Sequence, residues 1–473
     1  MTTDPFPIAR ASAGATLAAG ALALTALMPQ MAAARAGQDL RDGAVFAMSN
    51  AREGNVVVAY YRSDDGTLRE AGRFETGGSG SGSFEDTAHG LVLATAEGEI
   101  APNNLIEPDG ASEQYLLVTN AGSDSISVMA VGADGLTLVD VQDSNGEKPV
   151  SVTVNDGLVY VLNSGETDDR LFDDAGEVIP NCTTGFLPAV TGFRMDVGGN
   201  LEPIADSTRQ LSGESMSGCA QVSFDPSGEL LVVTERLAQP AVLNQQTSEK
   251  ERLDDEGVIV TFDVADDGLL GGGQLHDATG QGPFGFTFTK SGALLTTEQF
   301  DGPGPIGIER GAVASYVRNR DGMAGMATLI DGSMDGMQSS LLRSSPSEGN
   351  LGTDTCWIVA SDNERVGFAS SFFRDGRISA YVLDHLGVVK IQRIIASGPD
   401  RFNDNVAMGA SDLALSRDST YLYQLNSIQG TITAFEINYP NGSLTLIDMY
   451  EPFPQPAFGP GGGEGAPIGL SAS

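Results

Sequence analysis

The chain has 473 residues, 41% of them apolar, and 60 are glycine, which suits a core of many short strands and tight turns and argues against long helices. Its 63 acidic and 26 basic residues give a formal net charge of −37. That balance excludes a nucleic-acid partner, because phosphate binding relies on clustered lysine and arginine.

Residues 1–36 read as a secretory leader, with an uncleaved N-terminal anchor as the alternative. Arg10 precedes a run of small and apolar residues from Ala11 to Met28, Pro29 breaks that run, and Ala32, Ala33, Ala34 and Ala36 offer small side chains to a signal peptidase. No later segment is long and apolar enough to cross a bilayer as a helix. Residues 43–473 are therefore expected to form one mature domain, extracytoplasmic (periplasmic or secreted) and without a membrane span.

From there a β-rich unit recurs. Extended runs at 55–68, 125–138, 192–201, 257–270, 311–324, 377–389 and 430–444 each contain a turn glycine, and those glycines are spaced 54 to 69 residues apart. Just before each lies a continuous apolar run: VFAMSN (45–50), YLLVTN (115–120), LVYVLN (158–163), LLVVTE (230–235), LLTTEQ (294–299), CWIVASD (356–362) and YLYQLN (421–426). Such runs suit strands covered on both faces. A further strand precedes several of them, at 150–157, 222–228, 286–292 and 413–419, so one unit is four antiparallel strands. Self-similarity at this period marks a propeller or a β solenoid. The expected fold is all-β: a seven-bladed β-propeller of four-stranded antiparallel blades. The first unit lacks its leading strand, and residues 467–471 (PIGLS) are expected to supply it, closing the ring and removing its open edges.

Two stretches interrupt the repeat. Residues 75–87 (ETGGSGSGSFEDT) read as a flexible Gly/Ser loop. Residues 165–188 carry Glu166, Asp168, Asp169, Asp173 and Asp174, oxygen ligands that would suit a calcium ion, although their spacing is not that of an EF-hand loop. No cofactor and no other metal is predicted. Of the three cysteines, Cys182 and Cys219 are the expected disulfide in an oxidising compartment, and Cys356 the packed thiol; three unpaired buried cysteines are the alternative.

The strings YLLVTNAGSDSISVMAVGADGLTLVD (115–140), DPSGELLVVTE (225–235) and GQGPFGFTFTKSGALLTTEQ (280–299) resemble the seven-bladed lactonase family, which includes 6-phosphogluconolactonase and carboxymuconate cyclase. The resemblance spans about residues 43–446. It implies a site with a histidine after the Gly-Cys step, an Arg-His pair after Gly-Pro, a glutamate ending the next strand and an arginine in the sixth blade. Here Ala220 follows Gly218-Cys219, Phe284 and Gly285 follow Gly282-Pro283, and Asn363 takes the arginine's place with Arg365 two residues on. Glu298 alone matches.

Two functions from different classes follow. One is a binding or scaffold propeller whose channel mouth is lined by the strand-end residues Asn50, Asn120, Asn163, Glu235, Glu298 and Asn426, taking a small-molecule or carbohydrate-like ligand, or another protein on the propeller face. The other is a lactone hydrolase or cyclase with Glu298 as general base, assisted by Glu235 or Arg365.

Overall fold

The computed structural model describes residues 39–82, 87–101, 106, 112–165, 187–214, 217–238, 241–243, 250–252, 257–299, 311–318, 341–349, 353–373, 378–384, 389–395, 409–453 and 467–473. Among them every regular element is a strand, and no helix is long and apolar enough to cross a membrane.

The chain lays down β1 (Ala44–Met48), β2 (Val56–Arg62) and β3 (Leu68–Glu75), then β4 (Leu91–Thr95), β5 (Gly98–Ala101), β6 (Tyr115–Asn120), β7 (Ser125–Val131) and β8 (Leu136–Asp143). Next come β9 (Pro149–Asn155), β10 (Leu158–Asn163), β11 (Ala189–Met195), β12 (Leu201–Pro203) and β13 (Arg209–Gln210). They are followed by β14 (Cys219–Phe224), β15 (Leu230–Glu235), β16 (Ala241–Leu243), β17 (Lys250–Arg252), β18 (Val258–Asp263) and β19 (Gln274–Asp277). Then β20 (Pro283–Phe288), β21 (Ala293–Glu298), β22 (Ala312–Arg318), β23 (Leu341–Gly349), β24 (Thr353–Ala360), β25 (Val366–Phe373), β26 (Ile378–Leu383) and β27 (Val389–Ile395) run on to β28 (Ala410–Leu415), β29 (Tyr421–Asn426), β30 (Thr431–Asn438), β31 (Ser443–Tyr450) and β32 (Leu470–Ala472).

Most of these pair into four-stranded antiparallel sheets: β3-β2-β1-β32, β14-β15-β18-β19, β20-β21-β22-β23, β24-β25-β26-β27 and β28-β29-β30-β31. A ten-stranded sheet contains two more such groups, β4-β6-β7-β8 and β9-β10-β11-β12, joined because the β4–β5 hairpin reaches β9 through the pair Gly98↔Asn155. The first strands adjoin one another in turn: β32 with β4, β4 with β9, then β14, β20, β24 and β28, which touches β32.

Burial follows strand position. β6, β10, β15 and β29 are buried at every residue, so they need apolar side chains on both faces. The outer strands β3 and β8 instead mix buried, intermediate and exposed positions along polar sequences. Apolar clusters then form between neighbouring sheets. One holds Val45, Tyr60, Tyr423 and Ile432 from the β1 and β29 sheets, and Tyr423 Oη in it donates to Gly66 O at 3.1 Å. Fully burying a side chain of this size contributes roughly 1.5–3 kcal/mol.

Each first strand begins beside a residue with left-handed backbone: His89, Lys148, Gly218, Gly282, Asp354, Gly409 and Gly469, with φ between 55° and 89°. In several sheets the carbonyl at this point is taken by the amide just past the second strand, as in Arg236 N→Gly218 O (3.2 Å), Gln299 N→Gly282 O (3.0 Å) and Ser427 N→Gly409 O (2.8 Å). That closure pins both ends of the first hairpin.

Residues 76–82 depart from the expectation of a flexible linker. Asn55 N→Gly78 O (2.8 Å), Gly80 N→Ala51 O (2.8 Å), Gly82 N→Asn50 O (3.0 Å) and Gly122 N→Ser79 O (2.9 Å) tie this segment to the ends of β1 and β6. A Cβ on Gly80 would overlap the Asn50 backbone, and one on Gly122 would overlap the Gly80 carbonyl. The glycines here serve close approach of backbones.

Candidate functional site

The strand-end residues do share one end of their sheets. Asn120, Asn163, Glu235, Glu298 and Asn426 each close the second strand of a group, opposite the start of the third: Asn120↔Ser125, Asn163↔Ala189, Glu235↔Val258, Glu298↔Ala312 and Asn426↔Thr431. Asn50 lies two residues beyond β1 with φ 52°. All six are buried.

Their hydrogen bonds are largely internal. Asn120 accepts from Thr76 Oγ1 (2.7 Å) and Asn55 Nδ2 (3.1 Å) and donates to Ser127 Oγ (2.8 Å). Asn163 Nδ2 donates to Thr191 Oγ1 at 3.0 Å. Asn426 Nδ2 donates to Thr431 Oγ1 and Thr433 Oγ1, both at 3.1 Å, and its Oδ1 accepts from Gln424 Nε2. Asn50 Oδ1 accepts the Ser81 amide at 2.9 Å. These bonds tie the second strand to the third or to a connector, while Asn163 Oδ1 is buried without a partner among the described residues.

The two glutamates repeat the device with a carboxyl group. Glu298 Oε1 accepts the Gly280 amide at 2.8 Å, and Glu235 Oε2 accepts the Ser212 amide at 2.9 Å; both donors lie in the connector leading into the same sheet. Glu235 Oε1 also accepts from Ser212 Oγ (3.0 Å) and Ser217 Oγ. Burial outweighs these bonds and pushes the Glu235 carboxyl up to about 7.

Arg365 stands apart from this group. It is exposed in the turn joining β24 to β25. That turn meets the β20–β21 turn, where Lys290 Nζ pairs with Asp362 and the Ser291 amide donates to Glu364 Oε1 at 2.6 Å. Glu298 pairs with Pro283 at the other end of the β20–β21 hairpin, so Glu298 and Arg365 do not come together. The cause is one strand of register: residues 356–360, expected as a second strand, belong to the first strand β24, and the second is β25.

A different arginine sits near the glutamates. Arg236, immediately after Glu235, is buried; its Nη1 donates to Gln299 Oε1 at 3.2 Å, and its guanidinium carbon lies 5.8 Å from the Phe284 ring centroid. Gln299 follows Glu298, and its Nε2 donates to Cys356 Sγ at 3.5 Å. The signal in the sequence was the repeated slot one residue past each glutamate, filled by Arg236 and Gln299.

Three of the positions where the lactonase resemblance implies basic side chains, Ala220, Phe284 and Gly285, lie in β-bulges on first strands, and a like bulge occurs in β24. The register shifts across Ala220 in β14, across Phe284 and Gly285 in β20, and across Cys356 in β24. Residues 87–89 fill the space they face. Ala88 N donates to Ala220 O at 3.0 Å, and Trp357 Nε1 donates to Thr87 O at 3.0 Å. Ala88, Ala220, Phe284, Cys356, Trp357 and Phe372 belong to one apolar cluster, with the Phe284 and Trp357 rings edge-on at 5.3 Å. The His89 ring contacts Gln221 Nε2 at 3.2 Å, and burial holds this histidine down at about 3, hence neutral. A Cβ on Gly285 would overlap the Cys356 carbonyl, so no histidine fits there.

The Cys182–Cys219 pairing and the proposed calcium ligands fall on residues outside the described ones, apart from Cys219, which is buried at the start of β14. His276, on the edge strand β19, pairs with Ile259 of β18 and contacts Thr261 Oγ1 at 2.8 Å.

No protein-family model and no curated protein matches the chain. Among solved structures it is similar to a proposed 6-phosphogluconolactonase of Bacteroides fragilis (13% identity, TM-score 0.56, covering 91% of this chain and 98% of that one). A proposed 6-phosphogluconolactonase of Bacteroides uniformis is similar at 12% identity and TM-score 0.58, over 91% and 99% of the two chains. A hypothetical selenium-binding protein of Sulfolobus tokodaii matches at 13% identity and TM-score 0.52, over 94% and 96%. At these identities the likeness establishes the fold alone, that of the lactonase-like propellers. Proteins sharing it carry different functional names, so function has to come from the site.

Proposed function

We propose that this chain is an extracytoplasmic, lactonase-like propeller that acts by binding, with a degenerate lactonase site. In this reading the four-stranded groups are seven blades of one ring, β32 completes the first blade, and residues 1–36 direct export. The ligand is a small molecule or carbohydrate, or another protein docked on the propeller face. The observation that carries the reading is the packing of Ala88 and Trp357 against Ala220 and Phe284, at the places where acid–base chemistry would stand. Lactone opening needs a proton acceptor and donors aimed at the developing oxyanion. An apolar plug offers neither.

The second reading, a lactone hydrolase with Glu298 as base and Glu235 assisting, draws support from Arg236, which puts a cation at the glutamate end of the sheets. A panel of sugar and muconate-type lactones, assayed with wild type and Glu298→Gln, separates the two. Binding predicts no turnover by either protein; turnover by wild type that Glu298→Gln abolishes would overturn it in favour of hydrolysis.

A further inference from the structure

The C-terminal strand is held from three sides. β32 pairs with β1 through Ala47↔Leu470, Phe46↔Ser471 and Val45↔Ala472. Ser471 Oγ donates to Leu91 O in β4 at 2.9 Å. On β28, Asp412 Oδ2 accepts the Leu470 amide at 2.9 Å, while Oδ1 accepts the Leu413 amide at 2.8 Å. Of these three grips the third alone uses an ionisable group; just past the strand, Arg62 Nε donates to Ser473 O at 3.2 Å.

Asp412 is 4% exposed. The elements around it, β1, β4, β24, β25, β28, β29 and β32, contain no lysine, arginine or histidine. Their other ionisable side chains are Asp354 and Cys356 on β24 and Tyr421 and Tyr423 on β29. An ionised carboxylate there would have lost its water and gained two neutral amide donors, with no cation from these strands to offset the loss.

We propose that Asp412 makes the attachment of the C-terminal strand proton-dependent, holding β32 firmly when the carboxyl is protonated and loosening it on ionisation. Burial pushes this carboxyl up to about 7. In an opened seam, exposed to water, the group would release its proton near 4. The folded form therefore binds the proton more tightly. The grip is complete at and below about pH 4 and weakens as pH rises through about 7. This device goes beyond the binding role and stands or falls separately from it.

Amide hydrogen exchange on the full chain tests it, with rates corrected for intrinsic pH dependence. Relative to the amides of β2 and β3, the Leu470 protection factor in wild type should fall at least tenfold between pH 5 and pH 8.5. Asp412→Asn should flatten the profile, and Ser471→Ala, which removes the Leu91 contact and keeps the carboxyl, should retain the fall. A flat profile in wild type, or an unchanged fall in Asp412→Asn, overturns the proposal. Should Asp412→Asn not fold, wild type and Ser471→Ala decide: a fall in both sustains it and a flat profile in either overturns it.

Discussion

The side-chain amide of Gln221 on β14 pairs with the backbone of Phe286 on β20 in both directions, Nε2 donating to the carbonyl at 2.7 Å and Oε1 accepting the amide at 2.8 Å. The side chain thus serves as a one-residue strand between two sheets. Gln221→Ala strands both groups of Phe286 in a buried place, at about 1–3 kcal/mol each. Urea unfolding should show a total loss of about 3 kcal/mol; a loss under about 1 kcal/mol would mean that water replaces the amide.

Gly285→Ala places a methyl group on the Cys356 carbonyl between β20 and β24. Overpacking of this kind costs about 1–3 kcal/mol. The melting temperature should drop, and Gly285→His, which restores the histidine implied by the lactonase resemblance, should give little folded protein. Well-folded Gly285→His would show that the two strands can part.

Glu235 gives stability a definite slope with pH. Its folded carboxyl titrates at about 7, above the ordinary value of about 4.3 expected in the unfolded chain, so the folded form binds the proton more tightly. Stability is greatest below about pH 4 on this account and declines as pH rises through about 7, by on the order of 3 kcal/mol. Glu235→Gln should remove that share of the decline in urea titrations at pH 5 and pH 8. Asp412 contributes a slope of the same sign and keeps the variant from being flat. An unaltered slope in Glu235→Gln would place the proton elsewhere.

Thiol counting addresses the expected Cys182–Cys219 bridge. Denatured mature chain should show one reactive thiol, that of Cys356, which in the folded protein is buried and donates to Asp354 O at 3.3 Å. Reduction should then cost about 3–4 kcal/mol of stability in the chain-entropy model. Three thiols without reductant would rule the bridge out.

The second strands were legible in the sequence because full burial leaves a continuous apolar run: 115–120, 158–163, 230–235 and 421–426 coincide with β6, β10, β15 and β29. The sixth group was misread by one strand. VGFASSFF in β25 carries Gly367, Ser370 and Ser371 among its buried residues and lacks that run, while TDTCWIVA in β24 has it. Arg365, which follows the apolar run of β24, accordingly lies at the far end of its sheet from Glu298. The contacts of Arg236 and of the Ala88 plug leave no mark in the sequence because they form between sheets, which no local periodicity reports.

The tight seating of residues 76–82 has a practical side. By composition this segment invites use as an insertion point for an epitope or a fused domain, yet Gly80 lies against Asn50 and Gly122 against Gly80 with no room for a side chain. Cargo spliced there would wedge apart the ends of β1 and β6. The exposed turn at Asp266 and Asp267, between β18 and β19, is the better place for a graft.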